Sequence, residues 1–233
     1  MKSIVKVLEN KRCYAEKNQR KILLDIISNK TIEDLFFLTG GTALSVFYLH
    51  HRISNDLDLF TIEHVDIPEI DFIFKTEFGR KYLKIKESKR FLSALIDDTK
   101  VDLVIDPVSN NEHRDRFQFE NNHSLMIDNI ENIISNKLCA MASRSEPKDF
   151  IDFYFLNEKI PDIDFNTVFE NAKLKDGIFD DPPTAAYQIE ENINIIKNNS
   201  KIIPKTLISL NKKNFFSFHR DIIRMIYKRN QFR

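Results

Sequence analysis

The sequence predicts an α+β fold, and three observations carry that expectation. Strand and helix patterns mingle up to about residue 125, only helical periodicity follows, and no internal repeat or low-complexity linker interrupts the 233 residues. The expected organisation is an α/β core over 1–125 and a helical region over 126–233 that contributes to the active-site cleft, with a soft boundary near 120–128.

Residues 13–29 place Ile22, Leu23, Ile26 and Ile27 on one face of a helix. The apolar run Leu35-Phe36-Phe37-Leu38 stops at Thr39-Gly40-Gly41, as a strand entering a tight turn does. Residues 42–50 read as a helix capped by Thr42. Leu57 to Thr61 alternates apolar and polar side chains, the strand period. Pro68 opens a helix over 68–79. Strands are expected at 82–86, 91–96 and 100–105, the last two joined by Asp97-Asp98-Thr99, and Pro107 ends the series. Helices follow over about 128–143, 147–158, 164–173, 184–197 and 214–230.

Composition narrows the class of protein. Hydrophobic residues make up 42%, including 20 Phe, so a sizeable core can form without Trp. Lys+Arg and Asp+Glu are both 35, which excludes a generally basic polyanion binder; any nucleic acid must meet a local patch. Cys13 and Cys139 form no CxxC pair, which removes a cysteine zinc site and argues against a disulfide scaffold. No secretory leader and no apolar run near ~18 residues is present, so a cytoplasmic protein without a membrane partner is expected.

The chemistry-bearing pattern starts at Asp56-Leu57-Asp58. Residues two apart on a strand point to one side, so both carboxylates can face one point. Hard cations such as Mg2+ take oxygen ligands of this kind, together with substrate phosphates. A turn aspartate beside a solvent-facing strand aspartate has the same spelling. Upstream, only 4 Gly occur in the chain and two are adjacent, Gly40-Gly41, where a backbone can approach a ligand closely. A helix start at Thr42 would offer N–H groups to a phosphate, although an ordinary strand-to-helix turn predicts the same backbone. Asp102 sits within the strand-like Lys100 to Ile105, either as a third metal-binding carboxylate or on a solvated sheet face. Asp97, Asp98 and Asp106 suit turns and strand ends, and His50 and His51 suit structural or surface roles. The C-terminal stripe Arg220, Arg224 and Lys228 fits a solvated amphipathic helix or a contact with an RNA backbone or an acidic protein.

Gly40-Gly41-Thr42-Ala43-Leu44 followed by His51-Arg52-Ile53-Ser54-Asn55-Asp56-Leu57-Asp58-Leu59-Phe60 closely resembles the AbiEii/AbiGii nucleotidyltransferase toxin family, within the DNA polymerase β-like nucleotidyltransferase superfamily. The later segment from Lys137 through Arg144 to Lys148-Asp149 and Asp152 resembles that family's second half-motif, and the likeness spans about residues 35–156. The resemblance implies a polymerase-β-like mixed sheet with flanking helices. It implies an Mg2+-dependent enzyme, with Mn2+ as an alternative ion, that moves NMP from an NTP to an acceptor hydroxyl. Asp56, Asp58 and Asp102 would bind the metal. Gly40, Gly41 and Thr42 would hold phosphate oxygens, and Arg52 and Ser54 would bind the nucleotide or brace the loop. Lys137 would contact phosphates and Asp149 would complete the later motif. It also implies a type IV toxin with tRNA as acceptor and a cognate antitoxin as partner. A non-toxin enzyme acting on a protein or small molecule, and an inert nucleotide-binding module, remain the alternatives.

Overall fold

The computed structural model describes residues 7–109, 113–160 and 163–229, apart from the side chain of Lys17. Two compact units emerge, one drawn from Val5–Asn129 and the other from Ile130–Arg233.

The first unit is built on a seven-stranded mixed sheet. Its strands are β1 (Phe37–Thr39), β2 (Leu57–Thr61), β3 (Tyr82–Ser88), β4 (Phe91–Ile96), β5 (Thr99–Ile105), β6 (Asp115–Gln118) and β7 (Ser124–Ile127), in the spatial order β3-β4-β5-β2-β1-β7-β6. Helices α1 (Lys17–Ile26), α2 (Lys30–Leu35), α3 (Gly40–Ala43) and α4 (Ile67–Phe78) belong to the same unit. β2 pairs in parallel with β5 and antiparallel with β1. The alternation expected for residues 57–61 follows from this: Leu57, Leu59 and Thr61 are buried, whereas Asp58 and Phe60 are half-buried. Leu57, Val101 and Ala94 lie in one cross-strand row with Lys84, whose ammonium bonds to Asp71 of α4 at 2.9 Å. That row marks the face on which α4 packs. Asp97 and Asp98 both take positive φ, 48° and 66°, as a two-residue hairpin turn of mirror-image type requires.

Several boundaries differ from the sequence expectation. The helix expected over 13–29 ends at Ile26, and α2 follows it, because Asn29 accepts hydrogen bonds from the Thr31 and Ile32 amides and starts a new helix. Strand β1 is therefore displaced to Phe37–Thr39. Strands β6 and β7 were not expected, being only 4 residues each. α4 begins at Ile67, one residue before Pro68, with Asp66 capping the Glu69 amide.

The second unit holds α5 (Ile130–Ser143), α6 (Pro147–Lys159), α7 (Phe165–Lys175), α8 (Pro182–Asn198) and α9 (Lys212–Lys228). α5 packs against α6, α7 and α8, and α9 lies along α8 and α6. Phe150, Phe153, Phe179 and Phe215 are fully buried here, as Phe36, Phe37, Phe47 and Phe74 are in the sheet unit. Phe thus supplies the largest fully buried side chains of both cores. Residue 230, the expected end of α9, lies outside the described residues. No helix among the described residues is long and apolar enough to cross a membrane.

Candidate active site

The Gly40-Gly41-Thr42 turn joins β1 to the helix that follows, and here the sequence expectation needs correction. The helix starts at Gly40, with Thr39 in the capping position, so Thr42 is not its cap. Gly40 has φ of +66°, a backbone conformation that costs little only for glycine. A Cβ at Gly40 would lie 2.3 Å from Asp58 Oδ2, so the absent side chain is what lets the turn lie against that carboxylate. A Cβ at Gly41 would lie 2.5 Å from Arg52 Nη2 and 3.0 Å from Ser54 Oγ. The second glycine therefore makes room for the loop that leads into β2. After Ala43 the helix widens into a π-helical turn over Leu44–Leu49 and stops at His50, which is left-handed at φ 54°.

Thr42 is fully buried, and its hydroxyl donates to the Asp56 carbonyl oxygen and lies 2.9 Å from Ser54 Oγ. A phosphate-binding hydroxyl was expected there; the structure commits it to the backbone that carries Asp56. Ser54 is held by a 2.9 Å bond from its amide to the Cys13 carbonyl. Arg52 is buried and donates through Nη1 to the Ile53 carbonyl at 2.9 Å. Of the two roles considered for Arg52 and Ser54, bracing is the one these bonds display.

The carboxylates lie next to one another across the sheet. Asp58 is in register with Asp102 on β5, with Thr39 on β1 on one side and Ser93 on β4 on the other. Directly opposed residues point to one face, and this face is opposite to that of α4. Asp102 accepts from Ser93 Oγ at Oδ1 and from Lys100 Nζ at Oδ2, both at 2.5 Å. Burial works against the Lys100 charge. Its bond to Asp102 and the fields of Asp102, Asp56 and Asp58 outweigh that and hold the ammonium above its ordinary value. Three carboxylates thus converge electrostatically on one lysine. Lys100 and Ser93 were missed by the sequence reading, although the i, i+2 spacing of Lys100 and Asp102 on a strand could have found the lysine.

Among the described residues no three His, Cys, Asp or Glu side chains close into a ready metal cage. The donors are nevertheless all oxygens. Two carboxylates sit on adjacent strands and Asp56 lies two residues before Asp58, a set that suits a hard divalent ion completed by substrate phosphates.

Behind the turn stands a residue with no signature in the sequence. Asp128 is fully buried after β7; it accepts from Thr39 Oγ1 at 2.5 Å and from Arg114 Nε at 2.9 Å. Arg114 in turn stacks 3.8 Å from the centre of the Phe37 ring. These contacts fix the end of β1 just before Gly40.

The later motif lies in the helical unit. Lys137 on α5 is buried, not on a solvated helix face, and its ammonium is 2.8 Å from Asp149 Oδ1 and 2.7 Å from Asp152 Oδ2 on α6. Arg144 Nε reaches the other Asp149 oxygen at 2.7 Å. Burial raises the Asp149 pKa, but the neighbouring Lys137 and Arg144 charges more than offset this and hold the carboxyl below its ordinary value.

The mixed sheet, with aspartates on adjacent strands beside a glycine turn, is a fold that solved structures share. A candidate nucleotidyltransferase from Helicobacter pylori matches with a TM-score of 0.51 and 18% identity, covering 94% of this chain and 96% of the other. The Helicobacter pylori protein JHP933 matches with a TM-score of 0.50 and 18% identity, over 95% and 94% of the two chains. The family profile described as nucleotidyl transferase AbiEii toxin, type IV TA system, matches residues 21–198, and the chain belongs to that family. The uncharacterized Aquifex aeolicus protein aq_aa25 is 30% identical over 151 residues, 62% of this chain and 68% of that protein. The chain is thus a nucleotidyltransferase enzyme.

Proposed function

We propose that the protein transfers NMP from an NTP to an acceptor hydroxyl, as the toxin of a type IV pair, with tRNA as acceptor and a cognate antitoxin as restraint. The single observation that carries the transfer reading is the row Thr39–Asp58–Asp102–Ser93, with Gly40 seated against Asp58. Family membership supports the toxin reading, the NTP and the antitoxin.

Asp56, Asp58 and Asp102 would hold Mg2+, which activates an attacking oxygen and stabilises a leaving phosphate. The protein's own part is positioning. Gly40 lets the turn lie against Asp58. Thr42 and Ser54 hold the backbone of the Asp56 loop. Ser93 and Lys100 orient Asp102. The acceptor hydroxyl would give its proton to a site carboxylate as its oxygen bonds to the α-phosphorus. The bond from the α-phosphorus to the oxygen bridging the β-phosphate breaks, and pyrophosphate leaves with that oxygen. Such a transfer depends mainly on alignment and charge stabilisation. For Lys137 and Asp149 the family resemblance implies phosphate contact and motif completion. Within their own unit, Asp149 and Asp152 hold the Lys137 ammonium in one place.

The test incubates wild type and Asp58→Ala with each α-labelled NTP, Mg2+ and total tRNA. Label retained in tRNA by the wild type alone supports the reading. Labelling that persists in Asp58→Ala overturns the site, and absence of transfer to tRNA, protein and small acceptors overturns the activity. Growth arrest on expression, relieved by a neighbouring gene, checks the toxin role.

A further inference from the structure

The chain carries no net charge, so an acceptor polynucleotide needs a local basic surface beside an acidic site. The sequence directs attention to the C-terminal stripe, but the sheet unit contains a second basic surface that adjoins the carboxylates. Residues 80–90 hold Arg80, Lys81, Lys84, Lys86, Lys89 and Arg90 against the single acid Glu87. Lys84 and Lys86 lie on β3, an edge strand of the sheet, Arg80 and Lys81 in the turn that leads into it, and Lys89 and Arg90 in the turn into β4.

The register aims part of this strand at the site. Leu83 pairs with Leu95, and Leu95 with Lys100, which places Leu83 on the carboxylate face. A bulge lies between Lys84 and Lys86. A bulge shifts the inside-outside alternation by one residue. Lys84 consequently points toward Asp71 of α4, while Lys86 opposes Ser93. Lys86, Ser93, Asp102 and Asp58 thus form one row across four neighbouring strands. At the usual spacing of about 4.8 Å between strands, the Lys86 backbone stands roughly 10 Å from that of Asp102. Without the bulge, Lys86 would share the α4 face with Lys84.

The surface is open and its charge is available. Leu83 is 61% and Ile85 54% exposed. Lys81 and Lys84 are engaged by Asp97, Asp71 and Glu87. Arg80, Lys86, Lys89 and Arg90 are exposed, and no acidic partner is seen for them among the described residues. A group of exposed cations on and beside this edge strand matches a polynucleotide, with its phosphates on the cations.

We propose that β3 and the β3–β4 turn are the rail on which the acceptor's phosphodiester backbone lies, leading it along the sheet face to Asp102 and Asp58. This rests on the nucleotidyl-transfer reading for its purpose, but binding alone is what the test reads. Fluorescence anisotropy of labelled total tRNA is measured without NTP on Asp58→Ala full-length protein, over a range of salt. The same background carrying Lys86→Glu, Lys89→Glu and Arg90→Glu is compared. The expected result is at least a tenfold weaker Kd and a salt slope lower by roughly 2, since each single-strand phosphate contact contributes about 0.7. The melting temperature and the binding of free NTP stay unchanged. Equal affinity and slope in the two proteins overturn the rail. So does the absence of tRNA binding by the parent protein. Rail-dependent binding together with absence of transfer by the wild type, assayed separately with NTP, would overturn the catalytic reading alone.

Discussion

Two charged clusters carry the family's motifs, and they are built in opposite ways. In the sheet unit, Asp58 and Asp102 are held by strand register, half-exposed, with backbone ladders setting their separation. In the helical unit, Asp149 and Asp152 are fully buried, and Lys137 bridges them. The first can lose a side chain and keep its scaffold. In the second, the side chains are the scaffold, because a buried charge left without its partner is costly. Activity and stability should therefore separate between the two regions.

The widest separation is expected at Asp58. Asp58→Ala should lower label transfer by at least about 10³-fold, the upper range for loss of a single electrostatic element in an active site. Its thermal midpoint should stay within a few degrees of wild type, as roughly 1 kcal/mol or less is at stake for a partly exposed side chain. Thermal unfolding beside a single-turnover assay checks both. A large loss of stability would mean that the carboxylate is structural.

Lys137 should behave in the converse manner. Lys137→Met removes the cation that bridges two buried carboxylates and leaves Asp149 with Arg144, and a cost of about 3–5 kcal/mol is expected in urea unfolding. The pH dependence sharpens the contrast. The folded-state pKa of Asp149 is held below its ordinary value of 3.8 by Lys137 and Arg144 after burial has opposed this. Its contribution is thus complete above the unfolded pKa and is lost as pH falls through the lower, folded value. Wild type should lose this part of its stability only below about pH 4. Lys137→Met should show a shallower acid-side decline, measured as melting temperature against pH. An unchanged decline would remove Lys137 as the cause.

Lys100 lies between these extremes, an ion pair inside the active face. Lys100→Met removes a charged hydrogen bond to Asp102, an interaction of about 1.5–3 kcal/mol, so transfer should fall roughly 10- to 100-fold. Lys100→Arg should recover part of the rate. A loss of stability without a loss of rate would make Lys100 a fold residue.

The two regions also differ in how much of them the sequence reveals. Strand alternation put Asp56 and Asp58 on one side, although Asp56 lies just before β2; that Asp102 stands beside Asp58 comes from the β2–β5 register, which alternation within either strand does not give. Gly40 and Gly41 were legible as a turn, but not what their missing side chains make room for. Thr42 was misread because a cap and a loop brace use the same residue type; only the Asp56 carbonyl beside its hydroxyl distinguishes them. The helical unit gave up its helices through their periodicity. Its ion cluster was only half visible, since burial of Lys137 depends on packing between α5 and α6. Asp128 was invisible, because its partners Thr39 and Arg114 are brought to it by the sheet and by stacking on Phe37. The bulge in β3 was equally hidden, as Leu83-Lys84-Ile85-Lys86 alternates straight through it.

The finest comparison uses two glycines that share a backbone constraint and differ in surroundings. Gly40 and Gly79 both have positive φ, +66° and +54°. A Cβ at Gly79, which ends α4, would meet nothing within 4 Å, whereas at Gly40 it would collide with Asp58. Either alanine should cost about 1–3 kcal/mol of stability through backbone strain. Gly79→Ala should stop there and transfer NMP at the wild-type rate once folded. Gly40→Ala should also push Asp58 aside and lower the rate about tenfold, since a misplacement of this order can cost up to about 10²-fold. Rates normalised to the folded fraction decide the matter. Equal rates for the two variants would mean that Gly40 serves the turn and not the carboxylate.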